Sequence, residues 1–355
     1  MITVIKAKLL LILTNVEKSQ LIKTNIKKII ILRYDRVGDL IVSLPLISAL
    51  KEIFPQAKTT VIASEVNAPI AKISNTIDRT VVKKQNVFLW ILQLLALRKG
   101  GPDLVVDLNH SVAPHTIVAV RLLNAPHVAS PYKDGRWGVK GNRLRLFDIM
   151  PKQDPQQYSR PISDLYLDIA LTLGYLPERS NHYPLPGFGR PDHLKKSYIV
   201  LNPCGSRSTM RLRDTDLVAI ADEAARLDPS LEIVVSTEAQ NHERYTSLFS
   251  EKTNVSVASP SSTIIPTLAL VQHSQLVITP DTALVHVACA YSVKLIAVYT
   301  NDQALFEQWK PLNKATTRII RSTDPKGLKG YSSMKLLDHV KSMIINLNER
   351  PPTQT

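Results

Sequence analysis

Short, unbroken apolar runs separated by longer helix-patterned stretches are the feature that most limits how this chain can fold. KKIIILRY (27–34) reads as a strand, LIVSLPLISALKEIF (40–54) as a helix and TTVIAS (59–64) as the next strand. A short helix near 67–74 and the strand RTVV (79–82) follow, then the strongly apolar helix NVFLWILQLLALRK (86–99). The strand DLVVDLN (103–109) and the helix PHTIVAVRLLN (114–124) keep the rhythm. Strands that are apolar at nearly every position are buried on both faces, so a parallel sheet covered by helices is expected. The stretch 130–158 interrupts the pattern with SPYKDGRWGVKGNRLRLFD, basic and irregular, before a helix at 163–175. NHYPLPGFGRPDHLKKS then has the Pro and Gly content of a linker.

After that linker the alternation restarts. Strands at 197–203, 231–237, 275–280 and 294–300 are separated by helices at 214–227, 241–249, over IIPTLALVQHS, and at 281–291. An amphipathic helix at 332–350 closes the chain. The expected organisation is α/β: a basic amphipathic segment 1–26, a doubly wound domain 27–188, a second one 189–330, and a C-terminal helix and tail 331–355. Open parallel sheets bind ligands at the carboxyl ends of their strands.

Composition matters here mainly through charge. Lys+Arg 44 against Asp+Glu 30 leaves a formal +14. That balance favours an anionic partner: nucleic acid, a membrane surface or a phosphorylated substrate. Nucleic acid ranks last, because no zinc-finger spacing or RNP-type motif occurs and aromatics are only 6%. Two cysteines, Cys204 and Cys289, supply neither a disulfide framework nor a Cys-type zinc site, and a reducing cytoplasm is expected. No apolar run approaches the roughly 20 residues that span a bilayer. MITVIKAKLLLILTNVEKSQ lacks a small-residue cleavage site, so no signal peptide is expected. Lys6, Lys8, Lys18, Lys23, Lys27 and Lys28 surround KLLLIL. A basic amphipathic helix lying on an anionic membrane is expected, with packing on the protein as the alternative.

Three strand-to-helix joints carry the candidate chemistry. In RYDRVGDLIVSLPL (33–46), neither a dinucleotide fingerprint nor a P-loop is present. Gly38 is expected to turn the chain there. Asp39 then either caps the helix through a backbone N–H or, at the strand's carboxyl end, serves as a general base. In ITPDTALVHVACA (278–290), Asp281 follows a strand, and Thr282 and His286 share one helix face. A helix N-terminus offers N–H groups and a positive dipole end to an anion, while a packed core histidine is the competing reading of His286. In LNPCGSRSTMRLRD (201–214), Ser206, Arg207, Ser208, Thr209, Arg211 and Arg213 can bind phosphate oxygens, or form a solvated basic loop. Asp214-Thr215-Asp216 is not read as a metal-binding D-x-D motif, because it opens a helix, where acidic residues suit the dipole.

Together these stretches resemble glycosyltransferase family 9, the lipopolysaccharide heptosyltransferase family. The resemblance rests on RYDRVGDLIVSLPLISALKEIFP, on DLVVDLNHS (103–111) with RLLNAPHV (121–128), on the loop after LNP, and on VITPDTALVHVACAYSVKLIAVY. It runs from about residue 27 to 310. It implies a GT-B fold, two Rossmann-like domains facing a cleft. It also implies metal-independent, inverting transfer from a nucleotide-diphosphate sugar, typically ADP-heptose, without a cofactor. It makes Asp39 the base that deprotonates an acceptor hydroxyl. Asp281, Thr282, Ala283 and His286 fall in the donor motif, and Ser206, Arg207 and Arg211 in the phosphate-binding loop. Ala283 stands where the family usually has the glycine of D-T-G. Met210-Arg211-Leu212-Arg213 stands where it usually has K-x-W-P, so an arginine would replace the lysine. The first domain would hold an anionic glycolipid or glycan, for which Arg33, Arg36, Lys133, Arg136, Lys140 and Arg143 are the candidates. The resemblance places such an enzyme in the cytoplasm, peripheral on the inner membrane of a Gram-negative bacterium. A nucleotide-sugar epimerase on the same fold and a non-catalytic nucleotide- or sugar-binding protein are the alternatives.

Overall fold

The computed structural model describes residues 2–15, 26–109, 111–176, 183–205, 207–313 and 316–348. The chain forms two compact units, Met1–Ser180 and Asn181–Thr355. In the first unit the elements run α1 (Ile2–Thr14), β1 (Lys28–Arg33), α2 (Val37–Ile41), α3 (Leu44–Ile53), β2 (Lys58–Ala63) and α4 (Ala68–Ile73). They continue with β3 (Arg79–Val82), α5 (Val87–Lys99), β4 (Leu104–Asp107), α6 (Pro114–Leu123), β5 (His127–Ala129) and α7 (Ile162–Thr172). The sheet has the order β3-β2-β1-β4-β5 and every pair is parallel. β4 is buried throughout and β1 from Ile29 onward, as strands covered on both faces must be. The order runs one way from β1 through β2 and the other way through β4. The carboxyl ends of β1 and β4 therefore flank the switch point, where open sheets hold ligands.

In the second unit the elements are β6 (Tyr198–Leu201), α8 (Asp214–Leu227), β7 (Glu232–Val235), α9 (His242–Leu248), β8 (Val255–Val257) and α10 (Ile265–Gln272). Then come β9 (Leu276–Pro280), α11 (Ala283–Ala290), β10 (Lys294–Tyr299), α12 (Gln303–Trp309), β11 (Thr317–Arg321) and α13 (Ser333–Asn348). All pairs in the order β11-β10-β9-β6-β7-β8 are parallel. Its switch point lies between β6 and β9. α13 shares a core with α8, in which Leu336, Val340 and Ile344 join Leu217, Ile220 and Ala224.

Several expectations need correction. The single helix at 40–54 is two helices, because Pro45 has no N–H to continue an i−4 ladder and opens α3 instead. The division between units falls at 180/181, whereas 188/189 was expected from composition. The Pro-rich stretch is bound into the second unit: Tyr291 donates to the Pro186 carbonyl, and the Phe188 N–H to Gln272. The strands β5, β8 and β11 were not anticipated. They lie at or next to sheet edges, and two of them are only three residues long, too short for a pattern.

α1 is helical as expected but does not segregate apolar from basic residues. Leu10 and Thr14 are buried and Ala7 and Leu11 pack beside them. Val4, Ile5, Leu9, Ile12 and Leu13 are exposed alongside Lys6 and Lys8. The remaining part of the expected basic segment, including Lys18 and Lys23, lies outside the described residues. Among the described residues no helix is long and apolar enough to cross a membrane.

Candidate active site

The first joint is built around Arg33, the last residue of β1, and the structure overturns its expected role. Arg33 is fully buried and directs its guanidinium inward. Nε donates to the Asp39 carbonyl at 2.9 Å. One terminal nitrogen donates to Asp35 Oδ2 at 3.0 Å and to the Leu108 carbonyl at 2.6 Å. The other donates to Asp39 Oδ1 at 3.1 Å and to the Tyr166 hydroxyl at 2.9 Å. A guanidinium has five N–H donors, and all are engaged within the protein. Arg33 is therefore a clamp on the catalytic candidate and not an acceptor-binding side chain.

Asp39 takes a different position from the expected cap. Helix α2 begins at Val37, so Asp39 is its third residue, and its Oδ2 accepts the Arg36 backbone N–H at 3.0 Å. That is the reach-back half of a capping box. Gly38 lies within α2 and has no left-handed backbone, so it does not make the turn. The bend at Asp35 and Arg36 is braced by β2's following loop. Ser64 Oγ donates to the Asp35 carbonyl at 2.8 Å, and Asn67 Nδ2 to the Arg33 carbonyl at 3.0 Å. Ser64, Asn67 and Tyr166 were not singled out from sequence, because nothing in their own neighbourhood marks them. The Asp39 side chain keeps 11% of its surface open, against 0% for Arg33. One carboxylate at the end of β1 is thus fixed in direction and still touchable.

Lys133 is also corrected. It is buried and donates to Asp107 Oδ2 at 2.8 Å, to the Asp107 carbonyl at 3.2 Å and to the Asn109 carbonyl at 2.7 Å. Burial lowers its pKa, opposed by the Asp107 charge. An ammonium with its three protons engaged inside is a structural tie between β4 and the irregular segment. Arg36, Arg136, Lys140 and Arg143 remain at the surface, Lys140 facing Asp134 at 3.3 Å.

In the second unit the β6 and β9 ends meet at hydroxyls. Asn202 Nδ2 donates to Thr279 Oγ1 at 2.9 Å and to Thr282 Oγ1 at 3.4 Å, and the two threonine hydroxyls are 2.9 Å apart. Thr282 caps α11 by accepting the Leu284 N–H at 3.2 Å, with Ala283 the first helical residue. Burial pushes the Asp281 carboxyl up to about 6, against the opposing charge of Arg207. Arg207 is thereby placed near the helix start, and it is exposed. Ser206 lies outside the described residues.

The loop that carries Arg207 is a tight hairpin. Gly205 N–H donates to the Met210 carbonyl at 2.5 Å, and Leu212 N–H to the Pro203 carbonyl at 2.9 Å. A Cβ on Gly205 would stand 2.7 Å from Met210 Cβ, so only glycine fits. Met210 and Leu212, which replace the Lys and Trp of K-x-W-P, point into the core. Arg211 is half-buried and donates to Asn241 Oδ1 at 3.2 Å. Arg213 stacks on Tyr331 at 4.2 Å. Arg207 is then the arginine of this loop that stays open to a phosphate. His286 is the fourth residue of α11 and turns inward. It is buried, with ring centroids 5.5 Å from Tyr183 and 5.8 Å from Trp309, and it supports α11 from within. Asp214 and Asp216 lie in the first turn of α8, as a helix-opening reading requires.

Residues 172–335 match the model of a known family, glycosyltransferase family 9 (heptosyltransferase). No curated protein matches the sequence. Among solved structures, a family 9 glycosyl transferase from Veillonella parvula is 15% identical with a TM-score of 0.73, over 92% of this chain and 100% of that one. ADP-heptose lps heptosyltransferase II of E. coli is 16% identical with a TM-score of 0.71, over 90% and 99%. E. coli heptosyltransferase WaaC with ADP is 16% identical with a TM-score of 0.68, over 89% and 99%. The fold is that of the GT-B heptosyltransferases, two parallel-sheet α/β domains.

Proposed function

We propose that this chain, whose residues 172–335 match the glycosyltransferase family 9 model, is a glycosyltransferase that moves a heptose from ADP-heptose to an anionic glycolipid or glycan of the lipopolysaccharide type. The observation that carries the donor half is the Asn202–Thr279–Thr282 cluster beneath the start of α11, with Arg207 and Asp281 at its edge. It lies inside the stretch that matches the family. Hydroxyls, a helix N-terminus and an arginine suit a diphosphate. On departure of the ADP, Arg207 and the α11 N–H groups would stabilise its growing charge, without a metal. In the first unit, Asp39 takes the proton of the attacking acceptor hydroxyl.

A thermal-shift series tests the donor half. ADP at about 100 times its dissociation constant should stabilise the protein by about 2.7 kcal/mol. GDP, UDP and CDP should do less, and magnesium or a chelator should leave the ADP shift unchanged. A shift that needs a metal ion would overturn the metal-independent part. A shift with another nucleotide and not with ADP would overturn the donor.

We further propose that the protein works at the cytoplasmic face of a Gram-negative inner membrane, docked through α1. The exposed Ile5, Leu9 and Ile12 beside Lys6 and Lys8 support this. The triple change Ile5→Ser, Leu9→Ser, Ile12→Ser spares the buried Leu10 and Thr14. It should reduce sedimentation with phosphatidylglycerol vesicles at least fivefold and leave turnover on a water-soluble acceptor intact. Unchanged sedimentation would remove α1 as the anchor.

A further inference from the structure

We propose that the outward face of α5 is a part of the first unit that enters lipid, with the cations at both ends of the helix on anionic headgroups. This adds a second contact to the membrane reading above and rests on it. α5 is apolar on two opposite faces. Trp90 and Leu94, four positions apart, turn inward and are buried. Phe88 and Leu92 project from the other side, with Val87 and Leu89 beside them, and all four are exposed, Val87 to 71% and Phe88 to 67%. The helix holds no charged residue from Val87 to Leu97. Its one polar side chain in that stretch, Gln93, is engaged within the protein. Nε2 donates to the Val82 carbonyl at 2.8 Å, and Oε1 accepts the Lys84 N–H at 3.2 Å. A helix without a polar face suits burial in a core or a membrane, not a surface in water.

The charge around the face selects its partner. Arg79, Lys83, Lys84, Arg98 and Lys99 fall within 79–102, a stretch that has no Asp or Glu. Lys84, Arg98 and Lys99 are exposed, and the Lys83 ammonium lies 5.3 Å from the Trp90 ring centre. A second copy of this chain is a poor occupant. A closed twofold contact sets a patch against itself, which would bring these cations together with no carboxylate of the stretch to meet them. An anionic leaflet supplies both things the face lacks: hydrocarbon for Phe88 and Leu92, and negative headgroups for the flanking cations.

The position of α5 on the sheet gives the contact a use. β3 ends at Val82 and α5 starts at Val87, so the first turn of α5 stands at the carboxyl end of the parallel sheet. Asp39, which follows β1, is at the same end. α1 and α5 also cover one core, which holds Leu10, Trp90 and Leu94. A leaflet that takes up α5 therefore lies beside the end of the sheet that carries Asp39. An acceptor held in that leaflet comes to this end without leaving the membrane.

The test is sedimentation of the full chain with phosphatidylglycerol vesicles, with zwitterionic phosphatidylcholine vesicles as the control. The wild type should bind phosphatidylcholine at least fivefold less. Phe88→Gln combined with Leu92→Gln removes the apolar face and keeps good helix formers. It should reduce sedimentation with phosphatidylglycerol at least fivefold, with the melting temperature unchanged or raised. Lys84→Glu, Arg98→Glu and Lys99→Glu together should reduce it by a similar factor. Wild-type sedimentation by either variant overturns the proposal. If the α1 triple variant alone loses binding, the membrane reading stands without α5. A wild type that does not sediment counts instead against the membrane reading itself. A glutamine variant that melts earlier overturns the proposal, because the face would then be covered within the protein. So does a wild-type dimer, seen by sedimentation velocity without vesicles, that the glutamine changes convert to monomer, because the face would then be a contact between copies.

Discussion

Replacing Asp39 with Asn should lower turnover about 100-fold or more while ADP-heptose still binds. An amide keeps the size of the carboxylate and can still accept the Arg36 N–H, which Asp39 Oδ2 accepts at 3.0 Å. What it loses is the ability to take a proton. Arg33 supports the assignment by holding Oδ1 at 3.1 Å, which fixes the direction of the carboxylate and leaves part of its surface for the acceptor. Single-turnover kinetics with donor in excess separates the chemical step from donor binding. Turnover within threefold of wild type would remove Asp39 as the base and turn attention to Asp35, whose side chain is 35% exposed.

Replacing Arg33 with Met should cost about 3–5 kcal/mol of stability, because breaking a buried pair strands a charge. Asp39 Oδ1, the Leu108 carbonyl and the Tyr166 hydroxyl would each lose a guanidinium donor. Turnover should fall with it, since Asp39 would no longer be aimed. The double variant Arg33→Met, Asp39→Asn should recover part of the lost stability, as the unmatched carboxylate is then gone. Urea unfolding of the single and double variants measures both effects. An Arg33→Met protein with the wild-type midpoint would mean that the clamp carries no energy. A double variant no more stable than the single would mean that the stranded charge is not the cause.

These predictions rest on contacts that the local sequence does not reveal. RYDRVGD marked a strand-to-helix joint, but which of its charges faces outward was invisible. Arg33 and Tyr166 are 133 positions apart. Lys133 looked like one of several basic residues in an irregular loop, and only Asp107, 26 positions away, draws it inside. The placement of Asp281 and Thr282 between a strand and a helix was legible because that boundary is a local pattern. His286 lies one helical turn from Thr282, yet its surroundings are Tyr183 and Trp309, which no periodicity predicts. α5 shows the limit from the other side. It is strongly apolar by sequence, but Val87, Phe88, Leu89 and Leu92 are exposed and only Trp90 and Leu94 of its residues are buried.

The sequence by itself determined the alternation of strand and helix, the parallel sheets and the position of the strand-to-helix joints. Unbroken apolar strands must be covered on both faces, and a strand-to-helix boundary is written in neighbouring residues. Only the tertiary structure decided which charges are ties and which are open, burying Arg33 and Lys133 against carboxylates and leaving Arg36 and Arg207 exposed. Burial and pairing depend on residues far along the chain, and the cost of an unmatched charge or hydroxyl arises only once those residues have packed around it.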